Sequence, residues 1–443
     1  MLRLAEAADG LLARVRLPGG LIAAAQLRVL AGLAGEFGDG RLELTSRGNV
    51  QLRGLAVSAA EPLTSELIRA GLLPSLSHDR VRNVLASPLA GLDGGPDLTE
   101  VVRALDVALC ARPRLAELSG RFLFAVDDGR GDVAGGDADV VTTLVPGRAV
   151  VNGLAVGPVR QATGPGKDVL VDDAAAADAR VNDVLDDDDM GQGSTGSVVS
   201  AGQDYLRDGV VTAMLAFAEA FLDLRAEFGS TAWRIADLPG AAERVRTEVA
   251  ARLGLNVAEV APASQENGAP GMAGSRPVPG GAPAARPVGL ISPRGGEGRA
   301  GSADSVSRND SGFSAVLLAP VGRLTSAQAS WIADRVADQA ARITPWRSVV
   351  LPHLADAAVV LREAAGLGFG TDDASPWLRV TACAGRPGCA SALADVQADA
   401  GEFAARWPGR LVHVSGCARH CGRPAGTEID VTATSEGYQV AGV

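Results

Sequence analysis

One pattern of residues runs through this chain twice, in the same order, about 300 positions apart. Gly20-Leu21-Ile22-Ala23-Ala24-Ala25-Gln26 opens a helical pattern, and Gly322-Arg323-Leu324-Thr325-Ser326-Ala327-Gln328 opens another. Thr45-Ser46-Arg47-Gly48-Asn49-Val50 is echoed by Thr344-Pro345-Trp346-Arg347-Ser348-Val349. Further on, Arg82-Asn83-Val84-Leu85-Ala86-Ser87 is echoed by Arg379-Val380-Thr381-Ala382-Cys383. A fixed spacing across three echoes predicts two copies of one α/β module, each trailed by a second domain. Duplication of this kind implies a pseudo-twofold core with a shared site in the middle.

The local patterns fill in the module. Residues 11–17 read as an apolar strand that runs into Pro18-Gly19-Gly20, and residues 21–37 read as a helix ended by Gly38-Asp39-Gly40. Leu42 and Leu44 alternate with polar residues in a second strand. Residues 98–112 and 205–228 are amphipathic helix candidates, and 122–126 and 140–151 have strand character. Residues 183–203, with four successive aspartates and then Gly and Ser, read as a solvated acidic loop. Residues 257–312 are dominated by Pro, Gly, Ala, Ser and Arg and contain no aromatic residue, so they cannot bury enough to offset the entropy of ordering. The expected organisation is therefore 1–75 (half-domain 1), 76–256 (first trailing domain), 257–312 (disordered linker), 313–375 (half-domain 2) and 376–443 (second trailing domain).

Charge excludes several functions. A net charge of −11 argues against nucleic acid as a partner, and aromatic residues at 4% leave few surfaces for stacking bases. No apolar run is long enough to span a membrane, and the first residues lack an apolar signal core, so a cytoplasmic location is expected. Of the 41 basic residues, Lys167 is the only lysine. That excludes chemistry requiring several lysines, and the arginine excess reads as compositional bias at most positions. Gly296-Glu297-Gly298-Arg299-Ala300-Gly301 matches a dinucleotide fingerprint but follows no strand. Pro165-Gly166-Lys167-Asp168 lacks the hydroxyl residue of a phosphate loop, so no nucleotide site is assigned.

The cysteines carry the chemistry. Cys110 lies in a helical pattern among apolar neighbours and reads as a small buried hydrophobe. The other four form C-x5-C (Cys383, Cys389) and C-x3-C (Cys417, Cys421). Four thiolates in two close pairs suit a 4Fe-4S cluster or a tetrahedral zinc; the five-residue gap fits a tight zinc knuckle poorly and favours the cluster.

These segments together are similar to the sulfite and nitrite reductase haemoproteins. The carriers are Thr45-Ser46-Arg47-Gly48-Asn49-Val50-Gln51-Leu52, Arg82-Asn83-Val84 and the cysteines with Ser415-Gly416 ahead of Cys417. The resemblance implies an α+β fold of duplicated ferredoxin-like half-domains joined to reductase-type cluster domains about a pseudo-twofold axis. Within that superfamily, residues 120–132 resemble the precorrin-3B synthases. Reductases place two lysines near this strand, whereas here Arg121 and Leu123 stand. The implied activity is an oxygen-dependent hydroxylation of precorrin-3A at C20 with γ-lactone closure, in aerobic cobalamin synthesis. It implies a 4Fe-4S cluster and electrons from NADH, directly or through a separate reductase, and leaves open a bound sirohaem or mononuclear iron. The alternative is a sirohaem-dependent sulfite or nitrite reductase; a cluster-bearing electron carrier needs neither the duplication nor the arginines.

The expected substrate ligands are Arg47, Asn49, Gln51, Arg82 and Arg121, because arginine forks bind the acetates and propionates of a tetrapyrrole. Asn49 and Gln51 are expected on one strand face with Arg47; Arg14, Arg53 and Arg347 are secondary candidates. By the same resemblance Cys421 faces the tetrapyrrole. His420 is read as a cluster or iron contact, or as a surface residue; Asp127 and Asp128 as acid/base groups, or as turn residues ahead of Gly129.

Overall fold

A computed structural model describes residues 3–135, 137–145, 148–156, 195–254, 288–292, 312–336 and 338–442; side chains of 195–206 are not included. Its centre is a pair of five-stranded antiparallel sheets that exchange a strand. The first has the order β1 (Ala5–Ala7), β2 (Gly10–Val15), β5 (Val50–Leu55), β4 (Arg41–Leu44) and β13 (Arg323–Thr325). The second has the order β11 (Gly289–Ile291), β12 (Phe313–Leu318), β15 (Ser348–Leu354), β14 (Ala340–Ile343) and β3 (Leu21–Ala23). Each half thus lends one short strand to the other: β3 pairs β14 and β13 pairs β4.

This exchange corrects the expected helix over 21–37. Leu21–Ala23 is a strand, and the helix is Ala24–Phe37. The partner that makes it a strand lies more than 300 residues away, and only the tight turn before it is locally encoded. At Gly20, with φ 71°, an added Cβ would stand 2.0 Å from the Ile343 carbonyl oxygen, so glycine alone lets the exchanged strand approach.

Helices Ala24–Phe37 and Ser326–Val336 pack on each other. Leu27, Leu30, Leu42, Leu52, Ile332 and Leu351 are fully buried in one core drawn from both halves. Each such side chain contributes roughly 1.5–3 kcal/mol of burial, so the two halves share their main stabilising term.

A matching pair of smaller sheets flanks this centre. One runs β10 (Leu154–Val156), β9 (Arg148–Val151), β8 (Val140–Val145), β7 (Phe124–Asp127), β6 (Val84–Ala86); the other runs β16 (Val380–Ala382), β17 (Val412–Ser415), β18 (Ile429–Thr434), β19 (Gly437–Ala441). Both begin with three parallel strands and turn back antiparallel. Helices Thr99–Cys110, Thr195–Glu227 and Ala241–Leu253 cover the first, where Phe122 stacks on Phe221 at 5.4 Å. Helix Val396–Arg406 covers the second.

Two expected irregular segments change. The long helix begins at Thr195, inside the expected acidic loop, whose residues 183–194 lie outside the described residues. Residues 289–291 of the expected linker form edge strand β11 on β12. The apolar run Val288-Gly289-Leu290-Ile291 is long enough for one edge strand. The remainder of that linker, except 288, 292 and 312, lies outside the described residues, as do Lys167 and both failed nucleotide motifs. No helix among the described residues is long and apolar enough to cross a membrane.

Candidate functional site

The four clustered cysteines stand on the loops that leave parallel strands β16 and β17 at their carboxyl ends, where α/β sheets characteristically place ligands. Cys383 follows β16 directly, and its N–H donates to the Val414 carbonyl at 3.1 Å. Gly416 donates its backbone N–H to Cys383 Sγ at 3.1 Å, and Leu393 N–H donates to Gly416 O at 2.8 Å, so the two loops are stitched together. A Cβ at Gly416 would meet Ala392 Cβ at 2.7 Å. Cys389 N–H donates to Gly385 O at 2.8 Å. Cys383, Cys389 and Cys417 are half-buried and Cys421 is exposed.

Four thiols on two loops tied to each other by hydrogen bonds are a donor set of the type that a 4Fe-4S cluster or a tetrahedral zinc takes. A backbone N–H already directed at Cys383 Sγ matches the hydrogen bonds that tune cluster sulfurs. His420 sits in the C-x3-C loop with φ 47°, its Nδ1 3.4 Å from Ser415 Oγ and 4.0 Å from Asp430 Oδ1.

The first central sheet presents a polar row on the face opposite its core. Arg14 pairs Gln51 across β2 and β5, Gln51 pairs Glu43 across β5 and β4, and Glu43 pairs Arg323 of the exchanged strand. Registered partners share a sheet face, and Arg53 lies two residues beyond Gln51 on it. In the second central sheet the corresponding row is Val316, Val350, Arg342 and Leu21, and Leu92 seals Val316 and Val350. One of two equivalent faces is therefore closed by apolar packing and the other is polar.

Beside that polar row, arginines gather without enough acid to balance them. Arg16, which the sequence reading missed, is 6% exposed, and its Nε has no partner among the described residues. Burial pushes its pKa down to about 10, with Arg14, Arg47 and Arg82 adding repulsion against Asp79. The available signal was Arg14-Val15-Arg16: alternation with a second charge at a strand end that packs inward. Arg47 is half-buried, and burial first, then Arg234 and Arg14, hold its pKa low.

The expected substrate ligands divide. Arg47 stands in the β4–β5 turn rather than on the strand, because Thr45 Oγ1 accepts the N–H groups of Arg47 and Asn49 to close a tight hairpin. Its guanidinium donates to Gly120 O and Arg121 O at 3.2 and 3.3 Å. Gln51 is on the polar row; Asn49 is not, since it is buried and its Oδ1 accepts from Leu17 N–H at 2.9 Å. Arg82 is 3% exposed and donates to both Asp106 oxygens at 2.7 Å and to Leu72 O at 3.1 Å, so its fork is engaged inside the chain. Arg121 is exposed and lies over Trp233 at 4.2 Å.

The acid/base assignment of Asp127 and Asp128 gives way to the turn reading. Asp127 is fully buried, and its two oxygens accept from the N–H groups of Gly129, Gly131, Val133 and Ala134. Asp128 is paired with Arg130. Asp127, Asp128 and Asp132 bring carboxylate oxygens within 4.8 Å. Burial, then the neighbouring carboxylates against a Ser87 hydrogen bond, pushes Asp132 up to about 6.

The repeat turns differ in one respect. Gly48 has φ 64°, and at the matching position Arg347 has φ 62°. The structural counterpart of Arg47 is accordingly Trp346, and Arg347 holds a left-handed conformation that costs about 1–2 kcal/mol outside glycine.

The chain has the fold of the nitrite and sulfite reductase haemoproteins and is similar to that superfamily in sequence. Residues 4–70 match the nitrite/sulfite reductase ferredoxin-like half domain. The precorrin-3B synthase of a Sinorhizobium species is 26% identical over 448 aligned positions, covering 98% of this chain and 79% of that protein. The ferredoxin–nitrite reductase of Synechococcus elongatus is 34% identical over 127 residues, 27% of this chain and only 25% of that protein. The structure of Mycobacterium tuberculosis NirA superposes with a TM-score of 0.55 at 18% identity, over 97% of this chain and 74% of that one, and shares the fold. The named relatives are oxidoreductases.

Proposed function

We propose that the protein is a tetrapyrrole monooxygenase of the precorrin-3B synthase kind. It hydroxylates precorrin-3A at C20 and closes a ring-A acetate into a γ-lactone. One atom of O2 enters the macrocycle, the other leaves as water, and NADH supplies two electrons, directly or through a donor protein. What carries this reading is that the similarity to the Sinorhizobium precorrin-3B synthase runs the length of the chain, and that the polar sheet face adjoins arginines short of counter-charge.

Arg14, Arg16 and Arg47 would take the acetate and propionate groups, with Gln51 adding hydrogen bonds. Cys383, Cys389, Cys417 and Cys421 would hold a 4Fe-4S cluster, which supplies one-electron transfer. Leu123 supports oxygenation over sulfite or nitrite reduction: it stands where the resemblance puts a reductase lysine, is 4% exposed, and packs with Leu85, Ala125 and Val133. An apolar side chain there delivers no proton to a reduced anion. A sirohaem, carrying the same carboxylates, would fit the same arginines as a cofactor instead.

The test is anaerobically purified protein given precorrin-3A, NADH, a competent electron donor and isotopically labelled O2. One labelled oxygen in the product supports the reading; reduction of sulfite or nitrite with precorrin-3A untouched refutes it.

A further inference from the structure

Gly388 immediately precedes Cys389, and its carbonyl oxygen accepts a hydrogen bond from Arg53 Nη2 at 2.8 Å, across 335 residues of sequence. The same guanidinium donates to both Asp9 oxygens at 3.0 Å and lies 3.8 Å from Glu43. Glu43 is 3.5 Å from Arg323 on the exchanged strand. These side chains are all between 8% and 18% exposed, a shielded ionic chain running from the exchanged strand to the C-x5-C loop. A Cβ on Gly388 would meet Arg53 Nη2 at 2.7 Å, so a larger residue there would push the guanidinium off its place against the backbone. The other hydrogen bonds of this loop, among the described residues, run within 383–416.

The duplication contains its own control. In the other half Arg342 of β14 donates to Pro88 O and Ala90 O at 3.0 and 2.6 Å, in the loop that leaves β6. That loop corresponds to 383–392 but begins with Ser87 where the other begins with Cys383. The match extends to the hydrogen bonds: Asp128 N–H donates to Ser87 Oγ at 3.2 Å, as Gly416 N–H does to Cys383 Sγ. Each central sheet therefore grips the loop of the opposite flanking domain with one arginine, and only one of the gripped loops carries cysteines.

We infer that Arg53 is a positioning residue for the metal centre: the first half's sheet, through Arg53 and Gly388, sets where Cys389 stands. This rests on the reading of the four cysteines as cluster ligands. Losing the guanidinium frees the loop tip and leaves Asp9 as unbalanced negative charge beside it, Glu43 keeping Arg323. Both changes act on a cluster, whose potential follows local charge and hydrogen bonding.

The experiment compares cluster-loaded wild type, R53Q and R342Q, reading iron and sulfide per chain, the bleaching rate in air and the midpoint potential. R53Q should bleach on the order of tenfold faster, the equivalent of one lost charged hydrogen bond, with a more negative potential. R342Q should lose thermal stability with all three cluster readouts unchanged. If R53Q does not fold, D9N/R53Q leaves no unpaired charge and should still bleach faster than R342Q. Equal cluster behaviour in the Arg53 and Arg342 variants overturns the inference alone; wild type without iron and sulfide overturns the cluster reading and this inference with it.

Discussion

Asp106→Ala isolates the energetics of the buried pair behind the arginine group. The Arg82 side chain is 4% exposed and Asp106 17%, and they meet through two hydrogen bonds of 2.7 Å. The substitution leaves a buried guanidinium with the Leu72 carbonyl and the Cys110 thiol as neutral hydrogen-bond partners. Removing one member of a buried pair typically costs about 3–5 kcal/mol, because the survivor is an uncompensated charge. The partial exposure of Asp106 admits water to the gap, which puts the expected loss near the lower end, about 3 kcal/mol, or on the order of a hundredfold in the folded-to-unfolded ratio. The assay is urea unfolding followed by circular dichroism, with the double variant R82M/D106L alongside. The double variant replaces both charges with apolar groups and should recover to within about 1 kcal/mol of wild type. A loss below about 1 kcal/mol in D106A, the size of a solvent-exposed pair, would refute the argument that Arg82 is held by burial and Asp106 together.

Arg16→Gln should weaken tetrapyrrole binding on the order of tenfold or more, the size of one charged hydrogen bond, with little loss of stability because an unpartnered buried charge is removed; absorbance titration reads it. Cys417→Ser should abolish most iron and sulfide retention, whereas Cys110→Ser should leave both intact, measured by elemental and sulfide analysis. Asp132 has its folded pKa raised to about 6 from 3.8, so its protonated form is favoured by folding; that stabilisation is complete below about pH 4 and lost as pH rises through 6. Asp132→Asn should therefore gain on the order of 2 kcal/mol over wild type at pH 8 and match it near pH 4, read from unfolding curves at both values.

Much of the architecture was legible because turn chemistry and spacing are local. Pro18-Gly19-Gly20 and Pro320-Val321-Gly322 close the same turn, and the threonines at 45 and 344 cap the same hairpin. The strand exchange was not legible, since Leu21–Ala23 becomes a strand only through β14. Likewise the C-x5-C and C-x3-C spacing singled out the two cysteine loops, but not Arg53, whose hydrogen bond is to a carbonyl 335 residues away. The sequence left Asp127 as an acid/base group or a turn residue ahead of Gly129, and it is the acceptor that shapes its own loop. Arginine type suggested an anion site without identifying which arginines lack partners; that depends on burial and pairing, which distinguish Arg16 from Arg82.

The most direct test of the central claim, that the tetrapyrrole is substrate rather than resident cofactor, is the visible spectrum of anaerobically purified protein with iron and sulfide analysis. The account predicts about four irons and four sulfides per chain and a broad sulfur-to-iron band without macrocycle absorption. Intense macrocycle bands that survive gel filtration and shift on adding sulfite or nitrite would contradict it and make the protein a sirohaem reductase.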